Sequence, residues 1–247
     1  MQSENALKQE KKMDKLYIVI PAYNEEKNIE AVIGQWHPVA EKAGAESRLV
    51  VINDGSKDAT YERAARLRKR YAQLIVLTKK NQGHGPTVRY GYDYAIEHGA
   101  DYVFQTDSDG QTLPSEFSAF WKNREKCGLL IGCRTKRQDG ISRLFVTRVL
   151  RLVLLVIFRV WVRDANTPYR LMRCSQLKEV LQTVPRDFFL SNVLITVIYT
   201  KRKLGVYYHS ITFLPRQGGK NSINMKKICG IGLKALKQFW ALRMAVE

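Results

Sequence analysis

Four runs of β-branched and aromatic residues constrain this chain more than any other feature. They are LYIVIPAY, SRLVVINDGS, LIVLTKKNQGHG and DYVFQTDSDG, and each passes into a polar or glycine-bearing turn. The stretches between them, EEKNIEAVIGQWHPVAEKAG, KDATYERAARLRKRYA and PTVRYGYDYAIEHGA, carry apolar residues at helical spacing. Continuous apolar strands alternating with helices predict parallel βαβ units, so the fold class is α/β with a mostly parallel central sheet flanked by helices. Ligands of such sheets bind beyond the carboxyl ends of the strands. Asn24-Glu25, Asn53-Asp54-Gly55-Ser56, the Asn81 to Gly85 loop and Asp107 to Gln111 all follow strands. These clusters are therefore expected to converge on one edge.

Asp107-Ser108-Asp109-Gly110-Gln111 is the sharpest of them. Two carboxylates two residues apart at a strand end form a hard-oxygen site suited to Mg²⁺ or Mn²⁺ with phosphate oxygens. Asp-x-Asp before Gly is also ordinary turn chemistry. Asp54 has two readings as well: a short carboxylate able to accept two donors from a base edge, or an N-cap or turn residue before the next helix. Gly83 and Gly85 permit close backbone approach to a ligand, with His84 between them.

Charge divides the chain. Residues 1–133 hold 19 Lys/Arg and 18 Asp/Glu, a net of +1, whereas residues 134–247 hold 22 and 5, a net of +17. The second half is expected to meet something anionic. Its most unusual segment, ISRLFVTRVLRLVLLVIFRVWVRD, is too interrupted by arginine for a membrane span. At 100° per residue Arg148, Arg151, Arg159 and Arg163 share a face of roughly 120°. An amphipathic helix over 142–163 is expected to lie in a membrane interface, the plainer reading being a core helix with a solvated arginine face. A second, weaker basic helix is expected over 226–247. The cations sit amid Leu and Val rather than in a polar, aromatic-studded pattern, which argues against nucleic acid. Cys127, Cys133, Cys174 and Cys229 have no Cys-x-x-Cys spacing and fit reduced thiols. The first 14 residues are polar and lack the apolar core of a signal peptide, so a cytoplasmic location is expected.

YIVIPAYNEEKNIEAVI, VVINDGSKDAT, NQGHG and DYVFQTDSDGQTLP, in that order, resemble the N-terminal half of family 2 glycosyltransferases of the GT-A fold. VRDANTPYRLMR and ITFLPRQGGKNSI resemble the dolichyl-phosphate mannose synthase and polyprenyl-phosphate glycosyltransferase branch. The resemblance implies a nucleotide-sugar-binding half over 15–140 and an acceptor-binding half over 141–225. It places Pro21, Ala22, Tyr23, Glu25, Asp54, Gly83 and Gly85 around a UDP- or GDP-sugar. It makes Asp107, Asp109 and Gln111 ligands of Mg²⁺ or Mn²⁺. It sets Arg134, Arg143, Thr147, Arg216 and Lys220 around a lipid phosphate, with Arg134 counted among the catalytic residues beside Asp107 and Asp109.

The implied reaction is inverting transfer of a hexose to a polyprenyl phosphate by a peripheral enzyme at the inner face of a membrane, with a membrane protein as a possible partner. An already ionised phosphate nucleophile needs no general base. The alternative is a saccharide hydroxyl acceptor, for which Asp164 or Asp187 would be the base. The second half departs from the family pattern. Pro168-Tyr169-Arg170 stands where Gly-Phe-Arg is usual, and acidic residues common near Ser191 and His209 are absent.

Overall fold

A computed structural model describes residues 13–134, 141–215 and 225–246 of the 247. Seven strands form one sheet in the order β3-β2-β1-β4-β6-β5-β7. The expected strands appear as β1 (Leu16–Ala22), β2 (Arg48–Asn53), β3 (Leu74–Thr78) and β4 (Tyr102–Gln105). All four are parallel, with Tyr17 beside Arg48, Leu49 beside Leu74 and Leu16 beside Tyr102. Strand β5 (Leu129–Arg134) and strand β7 (Val206–Ile211) pair in parallel. Strand β6 (Arg170–Arg173) lies antiparallel to both β4 and β5. Every strand but β6 therefore runs the same way, and the ends at Ala22, Asn53, Thr78, Gln105 and Arg134 share one edge. The sheet runs unbroken across residue 140.

Helices cover both faces. On one lie α1 (Ile29–Ala43), α2 (Thr60–Arg66) and α4 (Phe117–Lys122), around a cluster of Trp36, Phe104, Phe117, Phe120 and Tyr169. Phe104 and Tyr169 meet edge to face at 4.7 Å and Phe104 and Phe117 at 4.8 Å, the geometry aromatic quadrupoles favour. On the other lie α3 (His84–Glu97), α5 (Ile141–Phe158), α6 (Cys174–Thr183), α7 (Ser191–Lys201) and α8 (Met225–Leu242). Nine of the eleven α7 residues are buried, although its Val193, Ile195, Thr196, Val197 and Ile198 are β-branched strand formers. Burying such side chains, at ~1.5–3 kcal/mol each, outweighs a helix-propensity cost of a few tenths.

Helix α5 stops at Phe158, earlier than the 142–163 span expected, because Arg159 takes a left-handed conformation (φ 57°) as its N–H bonds to the Leu155 carbonyl. Its packing also changes the expected division of faces. Leu154 and Phe158 go into the core, whereas Arg148 and Arg159 share the outward face with exposed Val149, Leu152, Leu155 and Val156. Helix α8 packs beside it through Phe158 and Phe239 at 5.6 Å, and itself exposes Leu233, Leu236 and Trp240. No helix of the described residues is long and apolar enough to cross a membrane.

Among the described cysteines, Cys127, Cys133 and Cys174 are reduced, in no disulfide. Burial pushes Cys127 up to about 11 and Cys174 up to about 12. At pH 8 the thiolate of each is then depleted roughly a hundredfold or more relative to an ordinary cysteine near 8.5. Maleimide is expected to spare both in the native protein and to label both in urea, read by peptide mass. Native labelling at the rate seen in urea would contradict this.

Candidate active site

The pocket is assembled from four loops at the carboxyl edge of the sheet. After β1 the chain turns sharply at Asn24, whose φ is 54°. That turn clasps the loop after β2: Asn24 N–H donates to Ser56 Oγ at 3.0 Å, and Lys57 N–H returns a bond to Asn24 Oδ1 at 2.9 Å. Glu26 N–H donates to Asp58 Oδ2 and Ala59 N–H to Glu26 Oε2, both at 3.2 Å. The clasp presents Tyr23, 44% exposed, and buried Glu25 to the pocket. Glu25 is held by its own N–H, donated to Thr60 Oγ1 at 2.8 Å, and by Asn28, which donates to its Oε2 at 2.8 Å.

Asp54 does not cap α2, which starts six residues later at Thr60. The N-cap is Ala59, and Asp58 just before it accepts from the Thr60 N–H at 3.1 Å. Burial works to raise the Asp58 carboxyl, but hydrogen bonds from Thr60 and Glu26 outweigh it and hold it below the ordinary aspartate value. Asp54 instead organises the loop after β3. Its Oδ1 accepts from Lys79 Nζ at 2.6 Å and Gln82 N–H at 3.0 Å, and its Oδ2 from Gly83 N–H at 2.8 Å. Lys79 and Asp54 form an ion pair 12% and 4% exposed, so each needs the other as its counter-charge. Gly83 has φ 92°, a conformation that only glycine adopts cheaply.

Gly85 has a different cause from the one expected. A Cβ there would come within 2.4 Å of the Phe188 and Phe189 carbonyl oxygens, so its smallness admits protein backbone rather than ligand. Gly85→Ala is expected to cost about 1–3 kcal/mol by overpacking, read as a lower urea midpoint. Unchanged stability would contradict that packing. His84 and Thr87, on the first turn of α3, do reach the pocket.

The turn after β4 carries Asp107 and Asp109, both half-buried, onto the same pocket. Gly110 turns it at φ 72°, and the hydroxyls of Thr106 and Thr112 close it at 2.7 Å. Gln111 is a strut between this turn and the end of β7. Its Nε2 donates to the Leu214 carbonyl at 2.8 Å, and the Leu214 N–H donates to its own carbonyl at 2.8 Å. Its side chain does not line the pocket, in contrast to the third-ligand position expected. Arg134 ends β5 on the same edge and lies over the Phe213 ring at 4.3 Å. The Phe213 backbone bridges to Thr112, so this residue ties Arg134 to the Asp107 turn. Thr147 is half-buried on α5. The Arg143 side chain and both Arg216 and Lys220 lie outside the described residues.

The result is an open pocket of about 350 Å³ lined by Pro21, Ala22, Tyr23 and Glu25, by Asp54, by Asn81, Gly83, His84 and Thr87, and by Asp107, Ser108 and Asp109. Asn81 reaches it with the loop expected to converge there, Thr87 reaches it without having been expected, and Lys79 braces it from beneath. Four carboxylates (Glu25, Asp54, Asp107 and Asp109) line the pocket, and Lys79 offsets Asp54. Such a surface repels a bare diphosphate and accepts one that arrives with a divalent cation. Among the described residues no three His, Cys, Asp or Glu side chains gather into a closed metal site. Two carboxylates facing an open pocket fit Mg²⁺ or Mn²⁺, ions that keep positions for substrate phosphates and water. Asp107 and Asp109 are the residues that would hold it.

A mostly parallel sheet with one reversed strand, and a carboxylate pair where β4 opens onto the pocket, define a GT-A glycosyltransferase. The chain belongs to glycosyl transferase family 2, whose family model matches residues 17–181. A dolichyl-phosphate beta-glucosyltransferase of Trichomonas vaginalis is 27% identical over 247 residues, covering 92% of this chain and 74% of that protein. A polyprenol monophosphomannose synthase of Mycolicibacterium smegmatis is 23% identical, covering 92% and 86%. An undecaprenyl-phosphate 4-deoxy-4-formamido-L-arabinose transferase of Pseudomonas aeruginosa is 25% identical over 72% of this chain. The chain spans about half (52%) of that protein's length. Among solved structures, glucosyl-3-phosphoglycerate synthase of Mycobacterium tuberculosis, in complex with Mn²⁺ and UDP-glucose, shares the fold with a TM-score of 0.65. It is 18% identical over 92% of this chain and 79% of its own.

Proposed function

We propose that this glycosyltransferase moves a hexose, with inversion, from a UDP- or GDP-sugar to a polyprenyl phosphate. The observation that carries the proposal is the convergence of Asp107 and Asp109 with the β1 and β3 loops on one open pocket. The exposed Tyr23 ring would stack on the base, with Pro21, Ala22 and Glu25 along base and ribose. Asp54 would take a base N–H on the lone pairs that Lys79, Gln82 and Gly83 leave. A cation held by Asp107 and Asp109 would offset the charge of the departing nucleoside diphosphate. Arg134 would orient the lipid phosphate, together with Arg143, Thr147, Arg216 and Lys220.

The lipid-phosphate acceptor is supported by the names of the three curated relatives and by the pocket's own chemistry. A phosphate oxygen attacks already ionised, so no base is required. Neither Asp164 nor Asp187 lines the pocket. A membrane-surface location, which we take to be the cytoplasmic face, is supported by the outward faces of α5 and α8 and by Trp161, just past the end of α5, and Trp240 of α8, 63% and 59% exposed beside arginines and lysines.

The test is incubation of purified protein and membranes with labelled UDP- and GDP-sugars plus Mg²⁺ or Mn²⁺. Chelator-sensitive label in an acid-labile lipid is the expected result. Label confined to water-soluble or base-stable glycan would overturn it and favour a hydroxyl acceptor. In that case Asp164→Asn would abolish turnover.

A further inference from the structure

Beneath Asp107 lies a cluster of polar side chains that the donor site does not use directly. Gln105 is the last residue of β4 and is fully buried, as is Tyr92 of α3, and Asn192 of α7 is 3% exposed. Along a strand, residues two apart share a face. Gln105 therefore points to the same side of β4 as Val103, which is core. An amide there is a departure from the apolar pattern of the strand, and its hydrogen bonds show what it does.

Gln105 Oε1 accepts from the Tyr92 hydroxyl at 2.7 Å and from Asn192 Nδ2 at 2.8 Å. Two donors converging on one atom fix the orientation of the amide. Rotated by 180°, it would set its NH₂ against the NH₂ of Asn192. The orientation that remains turns Gln105 Nε2 toward Asp107 Oδ1, 3.4 Å away. Asn192 is held in turn. Its Nδ2 is committed to Gln105 Oε1, its Oδ1 lies 3.0 Å from the Tyr92 oxygen, whose one proton goes to Gln105, and its carbonyl accepts from buried Arg170 Nη1 at 3.0 Å. A carboxylate with an N–H fixed behind one oxygen presents the other to the pocket. Hydrogen-bonded partners behind a ligand orient it in this way.

We propose that Gln105, locked by Tyr92 and Asn192, is a positioning residue that orients Asp107 for cation binding. The proposal rests on Asp107 being a cation ligand, as argued above. The probe is Mn²⁺ with UDP, and separately with GDP. Free Mn²⁺ is followed by its electron paramagnetic resonance signal, and nucleotide binding without metal is measured in parallel.

Gln105→Leu is expected to weaken Mn²⁺ binding about tenfold, in the range seen when such supporting groups are lost. Tyr92→Phe, which removes one hydroxyl and keeps the ring, is expected to lose a smaller part of that factor. The double variant should lose no more than Gln105→Leu alone, because both act through one amide. Leu194→Ala, a cavity on the same helix as Asn192, is expected to lower the melting temperature and leave Mn²⁺ affinity unchanged.

Wild-type Mn²⁺ affinity in both Gln105→Leu and Tyr92→Phe overturns the proposal. So does equal weakening in Leu194→Ala, which would reduce the cluster to a folding role. Absence of Mn²⁺ binding in the wild-type protein with either nucleotide overturns the donor-site reading itself, and this proposal with it.

Discussion

Asp107→Asn and Asp109→Asn are each expected to lower sugar transfer by roughly 10²- to 10³-fold, the scale on which removing one preorganised electrostatic contact acts. The amide keeps the size and shape of the carboxylate and discards its charge. Both residues face one pocket that also holds Glu25 and Asp54, so four acids share a small volume, and Lys79 pairs with Asp54. Relieving that crowding is expected to leave the melting temperature unchanged or raise it, as at other sites where function strains the fold. Activity and stability then move in opposite directions, which separates loss of a ligand from loss of structure. Transfer within threefold of wild type in both variants would remove the carboxylate pair from the mechanism.

Arg170→Met is expected to cost about 1–3 kcal/mol of stability. Arg170 is fully buried, and all five of its N–H donors are engaged with neutral oxygens. Nε and Nη2 reach the Thr167 carbonyl, Nη2 also the Ala165 carbonyl, and Nη1 the Asn192 carbonyl and Thr196 Oγ1, at 2.9 to 3.3 Å. Burial lowers the affinity of its guanidinium for its proton, which measures how unfavourable the surroundings are for charge. Methionine fills much of the volume but removes both donors from the Thr167 carbonyl, while the Ala165 and Asn192 carbonyls keep the Thr196 hydroxyl as a partner. A buried acceptor stripped of its donors is what makes such a replacement costly. The measurement is the urea midpoint and slope. A loss below about 1 kcal/mol would mean that water or a rearranged 164–167 segment supplies the missing donors.

The two residues also show where sequence reasoning reaches. The first four strands were legible because uninterrupted β-branched runs between amphipathic stretches admit few alternatives. Their order in the sheet then brought Glu25, Asp54, Gly83 and Asp107 to one edge, as parallel topology requires. What each residue does there was less legible. Gln111 in an Asp-x-Asp-Gly-Gln run gives no local sign that Leu214, over a hundred residues on, takes its amide. Gly85 looked like a ligand contact because the backbone it accommodates comes from Phe188 and Phe189.

The second half hid its elements for physical reasons. Strand β6 is four residues long and two of them are arginines. Helix α7 is written in strand-forming residues and becomes helical through burial on nearly all sides. Arginine ordinarily signals surface, so nothing local marks Arg170 as core. The same limit applies to Gln105 and Asn192, whose partnership exists only once α7 is laid against β4.

Strand β6 has one more consequence. Because it is inserted between β4 and β5, Asp107 and Arg134 leave the same edge two strand spacings apart, about 10 Å at the usual separation. A sheet with β4 and β5 adjacent would halve that gap. The reversed strand is thus a built-in spacer whose width is set by backbone hydrogen bonding rather than by any side chain. Substitutions along it can loosen the sheet, but they cannot tune that distance.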